Sequence, residues 1–142
     1  MKKQKIILVI LSVLLLCAVL FLLLARPAVR VLKETDGGQT AKWNVTVTAL
    51  SFRRYHASSA CTVEKQENGE WKACAVNPGM EDVKTGLYLI LLDRPGKTAA
   101  VFSDLGRVWD LSAPGRYRVT VSLSRDERFT DPIEIKREFS VP

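Results

Sequence analysis

Histidine is almost missing from this chain: of 142 residues, only His56 is one. Cysteine is scarce as well, at three: Cys17, Cys61 and Cys74. A zinc site ordinarily takes three or four Cys, His or carboxylate ligands. One histidine with two nearby cysteines falls short of that, so no metal and no cofactor is expected. The sequence holds no H-E-x-x-H, no P-loop, no G-x-S-x-G and no dinucleotide fingerprint. A thiol enzyme would need Cys61 or Cys74 free and beside His56. Paired acids such as Glu81-Asp82 and Asp126-Glu127 stand in polar, turn-like stretches and read as solvated surface. The expectation is a protein that is not an enzyme.

Net charge is missing from most of the chain too. The formal charge of +6 comes from Lys2, Lys3, Lys5, Arg26, Arg30 and Lys33. Residues 34–142 hold the other 15 of the 21 basic residues and all 15 acidic ones, so they are formally neutral. Nucleic-acid binding normally needs a basic face on the folded domain, and no nucleic-acid motif occurs. No nucleic acid is expected as a partner.

What is present is one long apolar block, residues 6–25, whose clearly polar member is Ser12. At about 1.5 Å per residue its 20 residues span the ~30 Å hydrocarbon core of a bilayer. A cleaved signal peptide has a shorter apolar region and small residues at −3 and −1. Cleavage after Ala25 would put Leu23 at −3, and cleavage after Ala28 would put Arg26 there. A lipoprotein would need small residues before Cys17, which follows Leu14-Leu15-Leu16. An uncleaved single-pass anchor is therefore expected: a cytoplasmic tail at 1–5, a transmembrane helix at 6–25 ended by Pro27, and the rest outside the cytoplasm at the cell membrane. Residues 26–41, with the turn-prone Asp36-Gly37-Gly38-Gln39, read as a tether.

From Ala41 onward no helical period of useful length occurs, and strands take over. Trp43, Val45, Val47 and Ala49 alternate with Asn44, Thr46 and Thr48. Residues 62–66 and 70–76 flank Asn68-Gly69, the strongest short hairpin signal. Residues 86–92 (GLYLILL) form a continuous apolar run, read as a strand buried on both faces. Residues 98–102 are a short strand. Tyr117, Val119, Val121 and Leu123 alternate with polar residues. Ile133, Ile135, Phe139 and Val141 make the last strand, with a bulge expected at Lys136-Arg137. Three Pro-Gly turns punctuate the run: Asn77-Pro78-Gly79-Met80, Arg94-Pro95-Gly96-Lys97 and Ala113-Pro114-Gly115-Arg116. Residues 42–142 are thus expected to be all-β, a sandwich of about seven strands. Asn44-Val45-Thr46 fits a glycosylation acceptor but lies mid-strand.

Val63-Glu64-Lys65, Asn68-Gly69-Glu70-Trp71, Arg94-Pro95-Gly96-Lys97 and Leu111-Ser112-Ala113-Pro114-Gly115-Arg116-Tyr117-Arg118-Val119 together resemble the bacterial immunoglobulin-like domains of exported and surface proteins. The resemblance covers about residues 42–141. It implies an immunoglobulin-like β-sandwich that binds or spaces rather than reacts. Tyr117 then reads as a tyrosine corner, its hydroxyl on nearby backbone. Trp71 and Trp109 read first as packing residues and second as candidate binding-surface aromatics.

The sequence departs from that pattern at Cys61 and Cys74, and a disulfide between them is expected. If residues 66–69 form a four-residue loop, Lys65 faces Glu70 and Cys61 lies directly opposite Cys74. The expectation is thus one of register as well as of redox state. Function is expected to be binding of a protein or cell-envelope component by a membrane-anchored module. Two other readings stay open. One is an exported protease-inhibitor-like β-sandwich presenting residues 56–59 or 125–131. The other is the thiol enzyme, although nothing around Ser58-Ser59-Ala60-Cys61-Thr62 resembles the nucleophile strand of membrane-bound cysteine transpeptidases.

Overall fold

The computed structural model describes residues 2–36, 40–85 and 88–142. One apolar helix, α1 (Lys2–Leu24), precedes two antiparallel β-sheets. The helix carries no buried stripe, and its side chains are exposed almost throughout. It is long and apolar enough to cross a membrane. Pro27 follows three residues after Leu24, where its missing N–H and its ring forbid another helical turn.

The segment expected as a tether is largely a strand. β1 (Ala28–Asp36) pairs along its whole length with β2 (Thr40–Thr48), from Ala28 opposite Thr48 to Lys33 opposite Trp43. Val29 in β1 is buried, so the segment joins the core. Its Arg, Lys, Glu and Asp residues mask a period-two pattern in which Val29 and Val31 point inward. The Gly37-Gly38-Gln39 part of the expected turn lies outside the described residues. β6 (Thr98–Phe102) completes this first sheet on the other side of β2.

The second sheet is built on β3 (Tyr55–Glu67), which pairs with β7 (Gly115–Ser124), and β7 in turn with β8 (Ile133–Val141). The other edge of β3 is shared. β5 (Leu89–Leu92) takes residues 55–58 and β4 (Glu70–Ala73) takes residues 64–67. Between those two pairings β3 is bulged, since Ala57 faces Leu123 while Cys61 faces Val121. Ser59 closes the bulge on β5: its N–H donates to Tyr88 O (3.1 Å), and Tyr88 N–H donates to its hydroxyl (2.9 Å).

The core lies between the sheets. Val45 and Val47 of β2, Val101 of β6, Val63 of β3 and Tyr117, Val119, Val121 and Leu123 of β7 are almost fully shielded from water. The alternation read from the sequence is what places them there. Two one-turn helices, α2 (Glu81–Thr85) and α3 (Leu105–Val108), sit in the connections. Leu105, Val108 and Trp109 plug one end of the core.

Three strand expectations need correction. The expected strand at 86–92, buried on both faces, is not what the described residues show: β5 covers Leu89–Leu92, and Gly86 and Leu87 lie outside the described residues. It is an edge strand, so Leu92 points inward while Leu89 and Leu91 stay exposed. No bulge occurs at Lys136-Arg137, because the β7–β8 register runs unbroken through Thr120 opposite Lys136 and Val119 opposite Arg137. Arg137 occupies an inward-parity position on an edge strand, where it still reaches water. The third Pro-Gly site differs from the other two. Gly79 and Gly96 have φ of 79° and 82°, with Met80 and Lys97 N–H donating back to Asn77 and Arg94. Gly115 has φ of 151° and instead opens β7.

Candidate functional site

The two sheets have a helix end and a far end. At the helix end lie Ala28, the segment 49–54, the Arg94-Pro95-Gly96-Lys97 turn and the loop 125–132. At the far end lie the Asn68-Gly69 turn, α3, residues 109–114 and the chain terminus. The far end carries a cleft of about 610 Å³ lined by Lys33, Trp43, Asp104, Arg107, Asp110 and Ser112, among others. Its size is that of a small-molecule or peptide-segment site.

The cleft is built from local backbone needs. Asp104 adopts the left-handed region, with φ of 58°, and its N–H donates to Asn44 Oδ1 (3.0 Å). Asn44, the apparent glycosylation acceptor, thus pins the start of α3. The other end of α3 leaves carbonyls without helical donors, and Asn77 supplies them. Its Nδ2 donates to Gly106 O (3.0 Å) and Arg107 O (3.1 Å), and its N–H donates to Val108 O (2.7 Å). Asp110 N–H donates to Ala75 O (2.9 Å), and Val76 bridges Trp109, so residues 75–77 and 108–110 clamp together. The Asp110 carboxylate accepts from both the N–H (3.0 Å) and the hydroxyl of Ser112 (2.5 Å). Those bonds favour its charged form and hold its pKa below the usual carboxylate range.

Trp43 forms one wall. Its ring packs against Phe139 at 5.2 Å and lies under the Lys33 ammonium at 5.6 Å. Around the largely buried Trp43 the cleft therefore sets two cations (Lys33 and Arg107) and two anions (Asp104 and Asp110). Such a set is complementary in charge to a polar surface of mixed sign.

The sequence-predicted aromatics fare differently. Trp109 is 1% exposed and packs on Phe102 at 5.1 Å, so it belongs to the core and offers no binding surface. Trp71 is half-buried on the outer face of the second sheet. The Arg118 guanidinium lies over its ring at 4.4 Å. Arg118 also donates from Nε (2.9 Å) and a terminal nitrogen (2.7 Å) to Glu64 Oε2, its cross-strand partner. Trp71 is a shelf for that ion pair. Tyr117 behaves as read: it is fully buried and its hydroxyl donates to Ala113 O at 2.6 Å.

The expected Cys61–Cys74 bridge is not formed, and all three thiols are free. The loop length is the reason. Glu67 pairs with Glu70, leaving only Asn68 and Gly69 in the turn, with φ of 52° and 85°. Both positive angles mark a type I′ turn, the two-residue hairpin that Asn-Gly favours over a four-residue loop. Cys74 then stands opposite Val63, its N–H donating to Val63 O (2.9 Å), while Cys61 pairs with Val121 on the other side of β3. The two cysteines share a face but are offset by two residues, a diagonal too wide for a disulfide. Burial pushes the Cys61 thiol up to about 12 and that of Cys74 to about 11.

His56 stands in β3 opposite Leu91 and Ser124, on the near side of the bulge from Cys61. Residues 56–59 are therefore strand rather than a protruding loop. The loop 125–131 does exist, organised by Asp126. Its Oδ1 accepts from Arg128 N–H (2.8 Å) and Thr130 N–H (3.3 Å), and its Oδ2 from the Thr130 hydroxyl (2.7 Å). This loop lies at the helix end.

Sequence reading missed the cleft. Trp43 reads only as an alternating strand residue, and nothing in the sequence singles out Asp104, Arg107 or Asp110. The one usable signal was Asn77-Pro78 and Asp110-Leu111-Ser112, side chains suited to capping backbone. Neither a comparison with protein-family models nor one with characterised proteins finds a match for this chain.

Proposed function

We propose that the chain is a single-pass membrane protein whose 28–142 portion is an immunoglobulin-like β-sandwich. It binds a protein or cell-envelope component outside the cytoplasm through the far-end cleft, without catalysis. The sandwich reading is supported by the sheet orders β1-β2-β6 and β4-β3-β7-β8, and by the Tyr117 corner onto Ala113 at the entry to β7. The anchor reading is supported by the length and exposure of α1.

The observation that carries the function is one of placement. The cleft holding Trp43, Lys33, Arg107, Asp104 and Asp110 opens at the opposite end of the sheets from α1. An anchored domain presents that end to whatever lies beyond the membrane. The thiol-enzyme reading loses support from a Cys61 thiol near 12, protonated at neutral pH and sealed in the core. The inhibitor reading loses support because its one surviving loop, 125–131, faces the anchor side.

The test is site-specific photocrosslinking in intact membranes. A photoreactive residue at Ser112, on the cleft rim, is expected to give a discrete adduct. The same residue at Lys136, on the outer face of β8, is expected to give none. Equal labelling at both, or adducts at Lys136 alone, would reject the cleft as the binding face.

A further inference from the structure

The segment between β2 and β3 does something unusual at the end of α1. Phe52 N–H donates to Leu22 O at 2.8 Å. In a helix that continued, the donor to Leu22 would be Arg26 N–H, four residues on. Pro27 ends the helix first, so the Phe52 amide takes that place. Leu22 is correspondingly half-covered, while Phe21, Leu23 and Leu24 around it are about half exposed or more. The β2–β3 segment thus caps the anchor helix.

That contact sets a depth. The apolar run ends at Ala25, and the position the Phe52 amide fills is level with residues 25–26. Phe52 therefore lies at the boundary of the hydrocarbon region wherever α1 spans a bilayer. Its side chain is 61% exposed, although it follows the buried Ser51. An exposed phenyl ring is costly in water and favourable at the headgroup–acyl boundary. Near it in the chain or at the helix end stand Arg54 and Arg26, both exposed, and the half-buried Arg53, suited to lipid phosphates. Only Ala25, Arg26 and the buried Pro27 separate α1 from β1, so the domain has little chain with which to lift away. A helix carbonyl at this depth has little water to donate to it, so leaving it without a donor is strongly unfavourable. The cap therefore has a reason to form there.

We propose that residues 50–54 are a membrane-seated foot: Phe52 inserts at the acyl-chain boundary of the bilayer that α1 crosses, and Arg53 and Arg54 engage its phosphate headgroups. This rests on the reading of α1 as a membrane span. The foot fixes the sandwich upright, with its far-end cleft turned away from the lipid.

The experiment uses the intact chain in lipid nanodiscs and tryptophan quenching by brominated acyl chains. Native Trp43, Trp71 and Trp109 lie toward the far end and supply a constant background. Two variants are compared, Phe52→Trp and Phe21→Trp, the second reporting on α1 itself. The expected result is that the emission added by Phe52→Trp is mostly lost with lipids brominated near the headgroup, and less so with lipids brominated deep in the chain. Quenching at position 21 but none at 52 overturns the foot and leaves the anchor standing. Quenching at neither position overturns the anchor reading and the foot with it. A Phe52→Asp variant gives an independent readout. It should keep incorporating into nanodiscs through α1 yet expose the 49–54 backbone to faster hydrogen exchange than wild type. Unchanged exchange in lipid would also reject the foot.

Discussion

Tyr117→Phe removes one oxygen atom from the interior and should reveal how the far end is held together. The Tyr117 ring is fully buried, packs on Phe139 at 5.7 Å and carries Lys65 above it at 5.7 Å. Phenylalanine keeps those contacts, so the change isolates the hydroxyl. That hydroxyl donates to Ala113 O at 2.6 Å, across a part-buried stretch leading into β7. Leaving a buried carbonyl without its donor costs about 1–3 kcal/mol, and the partial exposure here places the expected loss in the lower half, about 1–2 kcal/mol. A small domain has a urea slope of about 1–3 kcal/mol per molar, so at a middle value of about 2 the midpoint should fall by roughly 0.5–1 M with the slope unchanged. The assay is urea unfolding of the intact chain in detergent micelles, followed by tryptophan emission, since Trp43 and Trp109 are both buried. Tyr117→Ala serves as the upper bound, with a loss of about 3–5 kcal/mol from the cavity it leaves. A Tyr117→Phe midpoint indistinguishable from wild type would refute the reasoning, because it would mean the hydroxyl does nothing that water cannot do.

Titration of the unfolded, unreduced chain should find three reactive thiols, and any smaller number in monomeric protein would restore a bridge. Cys61 should also make stability fall in alkali. Its protonated form is favoured in the folded state, with a pKa of about 12 against the ordinary 9.0. Its contribution is thus intact below about pH 9 and is lost as pH rises toward 12. Between about pH 8 and about pH 10 the wild type should lose about 1.4 kcal/mol relative to Cys61→Ala, and parallel curves would contradict this. Gly69→Ala should cost about 1 kcal/mol through its φ of 85° alone, since an added Cβ would meet nothing within 4 Å; a neutral result in the same urea assay would count against the type I′ turn. Asn77→Ala should cost about 1–2 kcal/mol by stripping the donors from Gly106 O and Arg107 O, and hydrogen exchange should speed up at residues 105–109 more than elsewhere; uniform or unchanged exchange would remove Asn77 as the clamp of the cleft.

The local half of this protein was legible in the chain. Period-two alternation placed Val45, Val47, Val119, Val121 and Leu123 in the core, because a strand's side chains can only alternate. Apolar length and Pro27 bounded α1, and Asn68-Gly69 marked the tight hairpin. Where reading failed, two local signals competed, or the outcome depended on a distant partner. The Asn-Gly pair favours a two-residue turn, whereas placing Cys61 opposite Cys74 requires four residues; the left-handed angles that Asn and Gly tolerate decide it. β1 looked like a tether because its charges hid two inward valines, and only pairing with β2 makes it a strand. Residues 86–92 looked doubly buried, yet a run of apolar residues carries no information about whether a neighbour will cover its second face. The cleft and the Phe52–Leu22 contact were beyond local reading altogether. Each joins residues far apart in the chain, and such proximity is set by how sheets stack and chains return, which no local pattern of residues records.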